Sequence, residues 1–150
     1  MAKPPRIEQR FYYAASQKRV YAALTEPRQL VKWFLQEASL EPKTGGAFRF
    51  VWRGGYSMKG KVLRARPGKE VEFSWVDRFD GKVLKTVASF TLRKKGSGTL
   101  LAVTHSGFKG GRRWVALFGA VQSGWAYYLT NLRSVLEHGV DLRSELDALA

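Results

Sequence analysis

The sequence holds two histidines, His105 and His138, and no cysteine. Thiol catalysis, thiolate metal sites and disulfides are therefore excluded. His105, in the stretch THSGF, shares an alternating face with Leu101 and Val103. An imidazole on an apolar face is a candidate general base, or a hydrogen-bonding group in a cavity. A base needs a partner within hydrogen-bond reach, and the sequence places no acid beside His105. That favours a histidine satisfied by its surroundings or by solvent, and no residue is assigned as catalytic. His138 falls in the last turn of a helical stretch, where a cation suits the helix dipole. No H-E-x-x-H and no aspartate-rich loop occurs, so no metal or other cofactor is expected. The glycine pairs Gly45-Gly46, Gly54-Gly55 and Gly110-Gly111 lack the strand–GxxxxGK[ST]–helix setting of a phosphate loop and read as turns or bulges. The stretch KGGRR, Lys109 to Arg113, precedes a helix start, which favours an anion. A flexible basic loop is the favoured reading, because arginines beside a helix start are common and the sequence fixes no convergence.

The stronger signal is aromatic. Trp33, Phe34, Phe48, Phe50, Trp52, Phe73, Trp75, Phe90, Trp125 and Tyr128 all fall on predicted apolar faces. Five tryptophans need space, and each indole N–H seeks a partner when buried. A pocket with sparse polar groups supplies both, as does a filled core, and the two stay open at this level. The candidate ligand-binding set is Trp33, Phe48, Phe50, Trp52, Phe73, Trp75, Phe90, His105, Trp125 and Tyr128. Tyr13, His105 and Tyr128 are its candidate polar groups.

These residues need a scaffold. IEQRFYYA, residues 7–14, alternates as a strand, and Ser16 then fits an N-cap. A short helix carries Val20, Ala23 and Leu24, and Glu26-Pro27 breaks it and begins a second through Leu30, Val31, Trp33 and Phe34. Alternating runs follow: GGAFRFVW, SMKGKVLRA, EVEFSWV, VLKTVASFTLRKK and TLLAVTHSGF. Turn residues at Gly54-Gly55, Pro67-Gly68, Asp80-Gly81 and Gly96-Ser97-Gly98 join them, which suits antiparallel hairpins. The apolar face so formed must be covered. The candidate is a long helix from about 113 to 138, with Trp114, Phe118, Val121, Trp125, Tyr128, Leu132 and Val135 as its stripe and Gly139 as its stop. The expected class is α+β, with a curved antiparallel sheet wrapped around a long C-terminal helix and two short helices after the first strand.

The 150 residues suit one domain, 1–150, with a core from about 7 to 139 and a short amphipathic or frayed tail. A hydrophobic fraction of 45% excludes global disorder. No apolar run is long enough to span a membrane, and the N-terminal residues lack a secretory apolar run, so a cytoplasmic protein is expected. Lys and Arg total 26 against 12 Asp and Glu, a net charge of +14. Such a field attracts acidic partners or ligands, nucleic acid or anionic lipid. Basic residues decorate the predicted wet face at Arg49, Lys59, Lys61, Arg64, Lys85, Lys94 and Lys95. Single-strand binders place aromatics and basic residues on one surface, whereas here the two alternate, which argues against nucleic acid.

The ordered pieces AASQKRVYAALTEPRQLVKWF, GGAFRF, KGKVLRARPGKEVEFSW, SGTLLAVTHSGF and GWAYYLTNLRSVLEHG resemble the SRPBCC superfamily of START-like, helix-grip proteins. More narrowly they resemble the branch of heat-shock chaperone ATPase activator homologues, over residues 7–139. The resemblance implies a sheet gripping a C-terminal helix with a hydrophobic cavity between them. It implies a small-molecule binding protein or sensor for an apolar or acidic ligand. A cyclase- or hydrolase-like enzyme in the same cavity, and a basic interaction module or chaperone cofactor, are the other functions found on this fold. Neither the ligand nor the oligomeric state follows from the residues.

Overall fold

The alternating stretches all form strands. The computed structural model describes residues 4–143. In chain order the elements are β1 (Ile7–Tyr13), α1 (Gln17–Thr25), α2 (Pro27–Trp33), β2 (Glu37–Leu40), β3 (Ala47–Val51), β4 (Ser57–Arg66), β5 (Glu70–Phe79), β6 (Lys82–Lys95), β7 (Gly98–Ser106) and α3 (Arg112–His138). The seven strands form one curved antiparallel sheet in the order β1-β7-β6-β5-β4-β3-β2. Strands β2 to β7 run as a meander, and β1 closes the sheet beside β7. The α+β helix-grip architecture expected from the pattern is the one observed.

Local chemistry accounts for the boundaries. The Ser16 hydroxyl accepts the Arg19 N–H at 3.2 Å and starts α1. Pro27 opens α2, where its missing N–H costs nothing. The two-residue turn between β5 and β6 takes Asp80 at φ 52° and Gly81 at φ 74°, the backbone a tight hairpin needs. Gly139 ends α3 in the left-handed region at φ 70°. Strand β2 was not signalled, because EASL offers only Ala38 and Leu40 as apolar residues and both are half-buried. Its register is set by pairing along β3, with Leu40 opposite Phe48.

The apolar stripe of α3 is rotated from the expected one. Trp125 and Leu132 are buried, joined by Leu117 and Leu129. Trp114, Phe118, Val121, Tyr128 and Val135 are only partly covered. The reason is that α3 is held on two sides. Trp125 meets the sheet through Trp75 and Phe90, at ring separations of 5.2 Å each. On the other side the buried Asn131 donates its amide to the Trp33 carbonyl at 2.9 Å and accepts the Leu142 N–H at 2.7 Å.

The chain beyond α3 stays docked as far as it is described. Arg143 is buried, pairs with Asp141 at 3.0 Å and donates to the carbonyls of Val31 at 2.9 Å and Leu35 at 3.2 Å. Burial raises the Asp141 pKa, but hydrogen bonds from Arg143 and Asn131 outweigh it and hold the carboxyl at about 2. The rest of the predicted tail, 144–150, lies outside the described residues.

Within β4, Gly60 is a tight constraint. A Cβ there would stand 2.5 Å from Ser74 Oγ and 2.7 Å from Phe48 Cζ. Ser74 Oγ already accepts the Lys61 N–H at 2.9 Å. Gly60→Ala must displace a core ring and disturb that bond. It is expected to lose about 1–3 kcal/mol in urea unfolding, with little change in m-value.

Candidate ligand cavity

Inward residues of β5 recur at every second position: Val71, Phe73, Trp75, Asp77 and Phe79. The first three meet a filled interior. Between Leu24, Leu30, Trp33, Phe50, Phe73 and Phe90 the residual gap is about 10 Å³, room for one water at most. Toward the end of β5 the packing opens into a cavity of about 370 Å³. Its floor is Trp75, Asp77 and Phe79; Trp52 and Tyr56 close one side and Phe34 another. Helix α3 lines one side with Leu117, Ala120, Val121, Gly124, Trp125 and Tyr128, Arg78 stands at the edge, and the space is open to solvent. The walls are braced edge to face. Phe34 lies 5.4 Å from Trp52 and 4.9 Å from Tyr128 between ring centres, both near perpendicular, and contacts of this kind contribute about 0.5–1.5 kcal/mol beyond area.

Trp125 is fixed by a hydrogen bond. Its Nε1–H donates to His105 Nδ1 at 2.9 Å. An indole N–H can only donate, so Nδ1 is an acceptor and the imidazole proton sits on Nε2. That proton goes to Thr86 Oγ1, 2.7 Å away. His105 and Thr86 are both buried. Burial lowers the His105 pKa to about 4, so the ring is neutral at pH 7. Both nitrogens are engaged, neither is bonded to a carboxylate or a tyrosine, and the ring holds Trp125 in place.

Asp77 is the acid that faces the cavity. It is half-buried, and its Oδ2 is shielded from solvent without a hydrogen-bond partner among the described residues. The Tyr56 hydroxyl lies 3.3 Å from the Val76 carbonyl and 3.5 Å from Asp77 Oδ1, with one proton to share between them. Burial raises the Asp77 pKa to about 6, against the smaller downward pull of Tyr56.

The ten residues expected to bind ligand therefore divide. Trp52, Trp75, Trp125 and Tyr128 line the cavity. Trp33, Phe48, Phe50, Phe73 and Phe90 are buried outside it, interlocked with one another, with Phe48 and Phe50 only 4.4 Å apart. His105 stands behind Trp125. Tyr13, the other polar candidate, is buried away from the cavity with its hydroxyl donating to the Leu129 carbonyl at 2.8 Å, and burial pushes its pKa up. Of the basic stretch, Arg113 falls in the first turn of α3 and pairs with Asp80 at 3.5 Å, beside a separate hollow. Sequence reasoning missed Asp77, Tyr56 and Leu117. The signal for Asp77 was present, since it continues the parity of Phe73 and Trp75 by one step. Tyr56 and Leu117 had none, because loop path and helix rotation place them.

The family model described as "Activator of Hsp90 ATPase homolog 1-like protein" matches residues 14–137. No curated protein matches the sequence. Among solved structures, protein MLL2253 from Mesorhizobium loti superposes with a TM-score of 0.80 at 22% identity, covering 89% of this chain and 97% of its own. The Aha1 dimer from Colwellia psychrerythraea gives 0.76 at 27% identity, covering 90% and 98%. CalU16 from Micromonospora echinospora gives 0.66 at 29% identity, covering 83% and 71%.

Two expectations follow from this geometry. A Cβ on Gly124 would meet nothing within 4 Å, so Gly124→Ala costs no packing and removes backbone entropy from the unfolded helix. It should stabilise the fold by about 0.5–1 kcal/mol in chemical denaturation. The second concerns pH. Asp77 has a folded pKa of about 6, above the unfolded 3.8, so its contribution is fully favourable below the unfolded value and declines as pH rises through about 6. His105 acts oppositely, because its folded pKa of about 4 lies below 6.5 and stability rises with pH across that window. The two slopes oppose each other between pH 4 and 6. Asp77→Asn removes one, so the variant's Tm advantage over the parent should be smallest near pH 4 and grow up to about pH 7.

Proposed function

Because the chain belongs to the Activator of Hsp90 ATPase homolog 1-like family, a family within the SRPBCC superfamily, we propose that it is a binding protein for a small, largely apolar molecule. The ligand occupies the cavity between the end of β5 and the first half of α3. One observation carries this reading. In a protein whose central core leaves a gap of about 10 Å³, about 370 Å³ is left open against aromatic walls. Cavities of this size with few polar groups are the usual form of small-molecule sites. The small residues Ala120 and Gly124 face it, where larger ones would fill it. Catalysis through His105 receives no support, since both ring nitrogens are occupied.

Intrinsic fluorescence tests the reading, because Trp52, Trp75 and Trp125 all line the space. A neutral aromatic probe such as 4-phenylbutanol should shift the emission saturably and raise the Tm. Gly124→Leu should retain the helical circular dichroism signal and lose the response, because its side chain enters the cavity. Saturable binding that is unaffected by Gly124→Leu would refute this location.

A further inference from the structure

The charge on this chain is distributed against the cavity's single acid. The sequence carries 26 Lys and Arg, yet none among the described residues pairs with Asp77. The influences on that carboxyl are burial and the Tyr56 hydroxyl alone, and Oδ2 has no partner among the described residues. A shielded carboxylate oxygen without a donor is costly, and such orphans mark places where something else completes the bonding. One cation shares the cavity lining, Arg78, the next residue on β5; it is exposed and is not among the groups that act on the Asp77 carboxyl. Opposite Asp77 on β6 is Leu84. Helix α3 presents Leu117, Ala120 and Val121. At the turn Asp80 is engaged with Arg113. Three indoles and Phe34, Tyr56 and Tyr128 line the same open space, and aromatic faces attract cations.

We propose that the cavity selects an apolar molecule bearing a protonated amine, with the ammonium N–H on Asp77 Oδ2 and the remaining body among the indoles. This rests on the ligand-binding reading above and names its ligand class. It reverses the preference for acids that the net charge alone suggests. The charges behind that preference are exposed, with Lys59, Lys61 and Lys85 on the outer face of the sheet, and salt screens them over about 8–10 Å. An acidic ligand would instead bring a second carboxylate against one that already lacks a partner.

Isothermal titration with three matched probes tests this: 4-phenylbutylamine, 4-phenylbutanol and 4-phenylbutyrate. The amine should bind at least tenfold more tightly than the alcohol at pH 7.5. Its advantage should shrink as pH falls through about 6 and Asp77 protonates, while the alcohol's affinity stays flat. Asp77→Asn should bring the amine to within about twofold of the alcohol and leave the alcohol unchanged. That variant loses an unpaired buried charge, so its folding is checked by Tm, and the three-probe comparison on the parent protein does not depend on it. An amine that binds no better than the alcohol, a butyrate that binds best, or an amine preference that survives Asp77→Asn would overturn the proposal. In each of those cases binding of the alcohol would leave the cavity reading standing. Failure of all three probes to bind would overturn both.

Discussion

The hydrogen bond from Trp125 to His105 is the contact on which the rest of the architecture depends. It joins the middle of α3 to β7, and through Thr86 to β6. A helix laid across a sheet by apolar contact alone can roll, because dispersion and burial have little direction. A buried donor that must find its one acceptor removes that freedom. The rotation of α3 follows from it, and so does the division between the filled core and the open space. With Trp125 pinned, its ring packs on Phe90 and Trp75 on the core side and forms the cavity wall on the other. The small residues Ala120 and Gly124 are left facing the gap.

The cavity joins two tendencies that usually conflict. Its walls are aromatic and of low polarity, which raises the free energy of any charge held there. It nevertheless contains a carboxylate that a chain rich in lysine and arginine leaves unpaired. Another partly buried acid is matched: Asp141 is held by Arg143 and Asn131, and Arg143 also satisfies two backbone carbonyls. The contrast between Asp141, held near 2, and Asp77, pushed to about 6, shows how strongly the local partners act on the same chemical group.

Much of this was legible along the chain. Alternation from Phe48 to Trp52, from Val71 to Trp75 and from Leu101 to His105 placed the apolar face correctly, because the side-chain period of a strand is two whatever the strand pairs with. Ser16, Pro27 and Gly139 marked helix ends through requirements local to a few residues. Strand β2 escaped because it is short and half-exposed, held by pairing with β3 and not by its own pattern. On α3 the period was right and the phase was off, since apolar residues occur on most sides of the helix and leave several stripes of similar hydrophobicity.

Sequence by itself determined the class of the fold, the membership of the aromatic face and the location of His105 on that face. These depend on periodicity and on turn and cap chemistry, which act over a few residues. Only the tertiary structure decided which aromatics interlock and which border open space. It also decided that His105 orients an indole, and that Asp77 is the acid the cavity presents. Those outcomes depend on volume and on hydrogen-bond partners distant in sequence. Trp125 and His105 are 20 residues apart, and Thr86 stands 19 from His105 on a neighbouring strand. A void is the difference between the space the backbone encloses and the volume its side chains fill. No residue type or spacing encodes that difference until the elements meet.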